Sequence, residues 1–142
     1  MQAYSQSKIA VGLLGLELHR RSQAHAWGMS SNLSHPGVAP TNLLAARPEL
    51  GRSADASGRG LIRLLSERGV ILATVETAKL PALVAATDPA AKPAARYGPS
   101  GLGHLGGPPA EQRMYAPLCS TAAASRIWEA SERLTGMAFP VI

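Results

Sequence analysis

The chain has 142 residues, of which 46% are hydrophobic and 16% are charged, a composition that fits one soluble globular domain with its own core. Its formal charge of +5 is accompanied by only 4% aromatic residues and by no nucleic-acid-binding motif, which argues against a nucleic-acid partner. The single cysteine, Cys119, excludes an internal disulfide and fits a reducing, cytoplasmic compartment.

The first predicted element is a helix over residues 4–23. Aliphatic residues supply most of its apolar side: Ile9, Val11, Leu13, Leu14, Leu16 and Leu18. Gly12 and Gly15 each cost a helix roughly 1 kcal/mol relative to alanine, which indicates close packing against a neighbouring element; the alternative is that the helix merely tolerates them. The uninterrupted apolar run, residues 9–16, is much shorter than the about 20 residues that a membrane span needs. No membrane partner is therefore expected.

Tyr4 and Lys8 stand four positions apart in this helix, which places both side chains on one face. A free tyrosine has a pKa near ~10 and is a poor proton shuttle at neutral pH. A fixed positive charge ~4 Å away favours the phenolate by about 4 kcal/mol at an effective dielectric of ~20. The pair therefore has the outline of an acid/base catalyst. The alternative is an ordinary exposed helix pair.

Residues 29–34 are short and mixed in character, a poor β-strand by propensity, and Pro36 and Gly37 then turn the chain. The following stretch, residues 42–60, is rich in Ala, Gly, Ser and Arg, which predicts a poorly ordered loop. Helices are expected over residues 61–66 and 72–86. Pro81 either kinks the second of these or marks its first turn, and Asp88, which precedes Pro89, ends it.

Residues 90–109 are dense in proline and glycine and contain Gly101, Gly103 and Gly106 in the order GxGxxG. A dinucleotide fingerprint needs a helix that starts at the third glycine. The prolines at 108 and 109 exclude such a helix, so we interpret this segment as a loop.

The last predicted helix is capped by Ser120 or Thr121 and ends at Gly136, a suitable left-handed residue. One of its faces carries Ile127, Trp128, Ser131 and Leu134, which makes Trp128 a core anchor rather than a ligand contact. The apolar residues 137–142 are expected to pack back on the body. The four histidines, His19, His25, His35 and His104, lack metal-site spacing and are interpreted as surface or loop residues, so no metal cofactor is expected.

The sequence resembles the short-chain dehydrogenases/reductases. The resemblance rests on Tyr4-x-x-x-Lys8 with the apolar helix behind it, and on Asn32-Leu33-Ser34-His35-Pro36-Gly37 followed by Thr41. It continues through Tyr97-Gly98-Pro99 and Leu134-Thr135-Gly136, which are similar to the end of a subgroup related to retinol dehydrogenases and protochlorophyllide reductases. The match covers nearly the whole chain but only the second half of the family's fold.

The resemblance implies an α/β fold: the C-terminal half of a doubly wound Rossmann-type parallel sheet, mostly helical as it stands. It also implies a short strand over residues 29–34. Residues 1–142 would form a single partial domain that lacks the N-terminal dinucleotide-binding half. Tyr4 would be the general acid/base, and Lys8 would lower its pKa and bind the nicotinamide ribose.

Four further residues would then lie beside the nicotinamide: Pro36, Gly37, Val38 and Thr41. Leu43 and Leu44, in the substrate-loop-like residues 42–60, would line the substrate pocket; a bare surface loop is the alternative there. The implied cofactor is NADP or NAD, with NADP favoured, and the implied substrate is a small carbonyl compound or alcohol.

Two functions of different class follow. In the first, these residues belong to an NAD(P)-dependent oxidoreductase that is active when an upstream half of the fold is present. In the second, the chain is a non-catalytic remnant or interaction module of the same fold. The isolated chain is expected to be inactive in both cases, because Tyr4 and Lys8 transfer no hydride without a bound nicotinamide.

Overall fold

A computed structural model describes residues 2–39, 64 and 72–139. The chain forms two compact units: unit 1 comprises Met1–Leu33, Ala90–Arg96 and Arg113–Ile142, and unit 2 comprises Ser34–Pro89 and Tyr97–Gln112. In chain order, the described elements are α1 (Gln2–Ala24), β1 (Leu33–Ser34), α2 (Val75–Ala78), α3 (Leu80–Thr87), β2 (Arg96–Pro99), β3 (Pro109–Gln112) and α4 (Thr121–Thr135). Two 3₁₀ turns, Leu102–His104 and Ala116–Cys119, connect them.

The described strands form one small mixed sheet in the order β1-β2-β3. The Leu33 amide donates to Ala95 O and the His35 amide to Tyr97 O, so both strands advance in the same direction and the pair is parallel. The connection from β2 to β3 is closed by the Ser100 amide, which donates to Pro108 O, and this pair is an antiparallel hairpin. The expected α/β class is thereby confirmed, whereas the expected parallel pairing holds for β1 with β2 and not for β2 with β3.

In unit 1, α1 packs against α4 and against the 3₁₀ turn Ala116–Cys119. The core between them contains Leu13, Ala124 and Trp128, each at most 5% exposed. A Cβ on Gly12 would lie 2.8 Å from Leu118 Cδ2, so the predicted close packing at this glycine is confirmed. Val11 was predicted to lie on the buried apolar face of α1, and this prediction was wrong, because its side chain is 66% exposed.

Both ends of α4 lie where the sequence predicted them. Ser120 Oγ accepts from the Ala123 amide at 3.2 Å, and Gly136 ends the helix at φ 68°. Trp128 is a core anchor, whereas Leu134 was wrongly assigned to the same buried face and is 83% exposed. Behind the helix, Phe139 packs on Trp27 and Trp128 with ring centroids 4.7 and 5.5 Å apart, so the apolar tail does fold back at this residue.

Glu132 holds this returning segment in place. Its Oε1 accepts from the Phe139 amide at 3.1 Å. This backbone hydrogen bond is the main cause that holds the pKa of Glu132 below its ordinary value. The tail therefore attaches to α4 through one polar contact as well as through its rings.

In unit 2, the predicted helix over residues 72–86 is divided into α2 and α3. Thr74 and Thr77 form a capping box that starts α2, and Pro81 lies in the first turn of α3, one of its two predicted positions. Asp88 ends α3 as expected, and α3 packs against β3. Of the predicted helix over residues 61–66, only Leu64 lies within the described residues, and it is helical.

The strands were the least predictable elements. The predicted strand over residues 29–34 contracts to Leu33–Ser34, and residues 96–99, which were interpreted as loop, form β2. Tyr97, Gly98 and Pro99 are all buried in that strand. Hydrogen-bond partners far along the chain outweigh the poor strand propensity of glycine and proline here.

No helix within residues 2–39 and 72–139 combines the length and the apolar character needed to cross a membrane. The longest of them, α1, buries a carboxylate instead of an unbroken apolar face. The Glu17 side chain is fully buried, and both of its oxygens accept hydrogen bonds from Arg20, at 2.6 and 2.7 Å. Arg21 Nε donates to the same carboxylate at 2.9 Å, and Ser125 Oγ on α4 lies 3.4 Å away.

The pKa of Glu17 lies below its ordinary value of 4.5, chiefly because Arg20 donates hydrogen bonds to the charged form. A lowered folded-state pKa stabilises the folded protein in full above the ordinary value, and this stability is lost as the pH falls through the lower value. Unit 1 should therefore lose stability below about pH 4.5.

We expect Glu17→Gln to destabilise the chain by about 2 kcal/mol at pH 7, because Arg20 and Arg21 lose their buried counter-charge. The variant should also flatten the acid limb of the stability curve, measured by urea unfolding between pH 7 and pH 3. Glu76→Gln is the matched control, since Glu76 forms an exposed ion pair with Lys79 and should leave the curve near wild type. An unchanged acid limb in the Glu17 variant would contradict the role given to this carboxylate.

Candidate functional site

Tyr4 and Lys8 lie in the first turns of α1, in unit 1, and the structure brings them together. Lys8 Nζ lies 5.5 Å from the centroid of the Tyr4 ring, so the ammonium group sits over the phenol one helical turn away. Tyr4 is 57% exposed, and Lys8 is exposed as well. Both groups that proton transfer would need are therefore accessible to a bound molecule.

The backbone around the pair is regular helix. Ser7 Oγ donates to Tyr4 O at 2.8 Å, a bond that leaves the Tyr4 hydroxyl uninvolved. The helical spacing alone sets the relation between phenol and ammonium. Chemically, this arrangement offers a proton donor and acceptor with a cation beside it.

The second predicted segment is the corner Pro36-Gly37-Val38, in unit 2, at the carboxyl end of β1. Gly37 has φ 76°, in the left-handed region that favours glycine. The Val38 amide donates to Leu105 O at 2.8 Å, and Val38 O accepts from the Ala73 amide at 3.0 Å. The corner is therefore held by backbone hydrogen bonds to two distant segments.

The glycine-rich loop Gly101–Gly106 has a clear structural role at this corner. Its Leu105 carbonyl accepts from both the Val38 and Ala73 amides, at 2.8 and 3.1 Å. The Gly101 amide donates to Gly106 O at 2.8 Å and closes the loop. The interpretation as a loop rather than a dinucleotide fingerprint is confirmed: its only helical element is the 3₁₀ turn Leu102–His104.

Three of the predicted site residues lie outside the described residues: Thr41, Leu43 and Leu44. The predicted substrate-loop-like segment, residues 42–60, lies outside them as well. The described part of the predicted site consists of Tyr4 and Lys8 in unit 1 and of Pro36, Gly37 and Val38 in unit 2.

Two polar residues near the corner were not assigned to it from the sequence. His35 Nε2 lies 2.8 Å from Gln112 Oε1, and Gln112 Nε2 donates to Pro99 O at 2.8 Å. His35 had been interpreted as a surface or loop histidine, and Gln112 had no role. Only the pairing of β1, β2 and β3 brings them together, and no local sequence signal indicates it.

Unit 1 also contains a cavity of about 370 Å³, lined by α1, by Ala94 and Leu118, and by the start of α4. Leu16, Leu118 and Ala124 make its wall largely apolar. Neither Tyr4 nor Lys8 lines it, so it carries no part of the predicted chemistry. Within residues 2–39, 64 and 72–139, no three His, Cys, Asp or Glu side chains gather as metal ligands.

We expect Gly37→Ala to destabilise the chain by about 2 kcal/mol or more, because it combines a left-handed φ with a steric clash. The added Cβ would meet Leu105 O and lie 2.8 Å from Pro99 Cγ. Gly136→Ala is the matched control: its φ is 68°, yet no atom of the described residues lies within 4 Å of the added Cβ, so only the backbone cost of about 1 kcal/mol applies. Urea unfolding of both variants measures the difference, and equal losses would contradict a tightly packed corner.

Scans against protein-family models and searches of curated proteins and of solved structures found no match to this chain. The likeness to the short-chain dehydrogenases/reductases therefore rests on the motif residues themselves, above all on Tyr4 and Lys8.

Proposed function

We propose that this chain carries the proton-transfer machinery of an NAD(P)-dependent oxidoreductase of the short-chain dehydrogenase/reductase type. It would interconvert a carbonyl and an alcohol, with Tyr4 as general acid/base. The observation that carries the proposal is the position of Lys8 Nζ, 5.5 Å from the Tyr4 ring centroid on one face of α1. A phenol and an ammonium group on one helix face have the outline of an acid/base pair.

The nicotinamide, when bound, supplies the hydride for the carbonyl carbon or accepts it from the alcohol. Tyr4 Oη gives its proton to the carbonyl oxygen in reduction and takes the hydroxyl proton in oxidation. Lys8 stabilises the phenolate that remains after the proton has left. Both side chains are exposed, which suits residues that must contact a cofactor and a substrate.

The sheet supports the finer fold assignment. β1 and β2 are parallel, and α2 and α3 lie in the connection between them, as in a βαβ unit. In open α/β sheets, ligands bind beyond the carboxyl ends of the strands. The carboxyl end of β1 leads into the Pro36-Gly37-Val38 corner, which the resemblance assigns to the nicotinamide. We therefore propose that the chain is the C-terminal half of a doubly wound sheet.

The resemblance assigns the cofactor contacts to Tyr4 and Lys8 in unit 1 and to Pro36, Gly37 and Val38 in unit 2. Its other assigned residues, Thr41 for the cofactor and Leu43 and Leu44 for the substrate, lie outside the described residues. The substrate is a small carbonyl compound or alcohol. NADP is the first cofactor to test and NAD the second.

The proposal is tested on the product of the full open reading frame that contains these codons, with NADPH and NADH and a panel of aldehydes and ketones. We expect Tyr4→Phe to lower kcat by about 10²- to 10⁴-fold, because the general acid is lost, while the Kd of NADPH stays near wild type. Tyr115→Phe is the matched control, since Tyr115 is a similarly exposed tyrosine at 55% and should keep wild-type turnover. Fluorescence titration gives the cofactor Kd, and loss of NADPH absorbance gives the turnover.

We expect Lys8→Gln, in the same assays, to weaken NADPH binding as well as turnover, because this lysine is assigned to both the cofactor and the phenol. Full turnover in the Tyr4→Phe protein would remove Tyr4 from the mechanism. If the wild-type protein neither binds a nicotinamide nor reduces any carbonyl, the oxidoreductase proposal fails. The alternative function, a non-catalytic interaction module of the same fold, would then be favoured.

A further inference from the structure

His35 is the residue that precedes the Pro36-Gly37 corner, and its imidazole contacts both the corner and a distant strand. The Gly37 amide lies 3.3 Å from His35 Nδ1 and donates to it. On the other side of the ring, Nε2 lies 2.8 Å from Gln112 Oε1 on β3. One side chain thus joins the start of the corner to residue 112, which is 77 positions away in the chain.

These contacts select one tautomer of the imidazole. Because Nδ1 accepts from the Gly37 amide, the proton of the neutral ring resides on Nε2, which then donates to Gln112 Oε1. The amide group of Gln112 is oriented in turn, since its Nε2 donates to Pro99 O at 2.8 Å. Each donor in this chain of hydrogen bonds meets an acceptor.

Strand β2 leaves space for the His35 ring because it has a glycine, Gly98, at the point of contact. A Cβ on Gly98 would collide with His35 Nε2 and would lie 2.6 Å from Gln112 Nε2. Gly98 is extended rather than left-handed, so the space above it is the reason for glycine at this position. The contact of His35 with Gln112 requires a residue without a side chain at position 98.

Gln112 also contacts the loop Gly101–Gly106, which holds the Pro36-Gly37-Val38 corner. Gln112 Nε2 lies 3.0 Å from His104 Nδ1, and His104 has φ 59°, a left-handed conformation that is unfavourable for a non-glycine residue. The next residue, Leu105, provides the carbonyl that accepts from the Val38 amide. Gln112 therefore contacts His35, which accepts from the Gly37 amide, and His104, which precedes the residue that accepts from the Val38 amide.

We infer that His35 is a positioning residue: its Nε2–H tautomer, fixed by Gln112, holds the Gly37 amide and so sets the geometry of the Pro36-Gly37-Val38 corner. The hydrogen-bond chain Gly37–His35–Gln112–Pro99 stands independently of any activity. Its consequence, that His35 orders the segment facing the nicotinamide without touching substrate, rests on the function proposed above.

The first test uses the unmodified chain. Two-dimensional ¹H–¹⁵N spectra of the imidazole nitrogens at neutral pH should show Nε2 protonated and Nδ1 bare in His35. The opposite tautomer would overturn the inference without any substitution.

The second test uses three substitutions and amide hydrogen exchange. His35→Phe keeps a ring but removes the acceptor, so exchange of the Gly37 amide should rise by roughly 5-fold, as expected for the loss of one hydrogen bond. His35→Asn should keep the protection, because an asparagine side-chain oxygen can accept from the amide two residues on. His25→Phe is the matched control: His25 stacks on Trp27 in unit 1, and its replacement should leave Gly37 exchange unchanged.

Wild-type protection of Gly37 in the Phe variant would overturn the inference, and so would equal loss of protection in the Phe and Asn variants. In the full open reading frame, His35→Phe should raise the KM for NADPH with kcat near wild type, and His35→Asn should restore the KM. An unchanged KM in the Phe variant of an active enzyme would remove His35 from cofactor positioning. A wild-type protein without turnover would refute the proposed function alone, since the tautomer and exchange measurements still decide the role of His35.

Discussion

Unit 1 depends on the ion pairs of one buried carboxylate, that of Glu17, with Arg20 and Arg21. Glu17 is fully buried between α1 and α4, and a charge in that position is tolerated only if it is paired. Arg20 and Arg21 follow it by three and four positions on the same helix, so a single face of α1 supplies the charge and its partners. Arg21 then places its guanidinium 4.7 Å from the ring centroid of Trp128, which couples the ion pair to the core of α4.

The second unit depends on a different kind of contact, a carbonyl shared by two segments. Leu105 O accepts from the amides of Val38 and Ala73, residues that are far apart in the chain. The loop that presents this carbonyl contains two consecutive left-handed residues, Gly103 and His104. Backbone strain at such positions persists only where surrounding contacts compensate for it, and the contact of His104 Nδ1 with Gln112 Nε2 at 3.0 Å contributes to this here.

Elements fixed by local chemistry could be predicted from the sequence. The ends of α4 follow from Ser120 and Gly136, the end of α3 follows from Asp88 before Pro89, and the pairing of Tyr4 with Lys8 follows from helical spacing. In each case the residues that decide the structure lie within one turn of each other. The role of the Gly101–Gly106 segment as a loop was also predictable, because Pro108 and Pro109 follow it after a single residue.

The predictions that failed concern residues whose contacts lie far away in the sequence. β2 is a strand because β1 and β3 flank it, although Gly98 and Pro99 disfavour one. Val11 and Leu134 were assigned to buried faces by periodicity, yet no described neighbour covers either side chain. At the candidate site, Tyr4 and Lys8 were readable from their spacing, whereas the contact of His35 with Gln112 required the assembled sheet.

The 3₁₀ turn Ala116–Cys119 has a practical consequence for experiments on this protein. Cys119 is exposed on that turn and is the single cysteine of the sequence, so a maleimide reagent attaches at one defined point. The turn packs against α1, the helix that carries Tyr4 and Lys8. A fluorophore on this thiol, with Trp27 and Trp128 as intrinsic energy-transfer donors, would report the docking of α1 in solution.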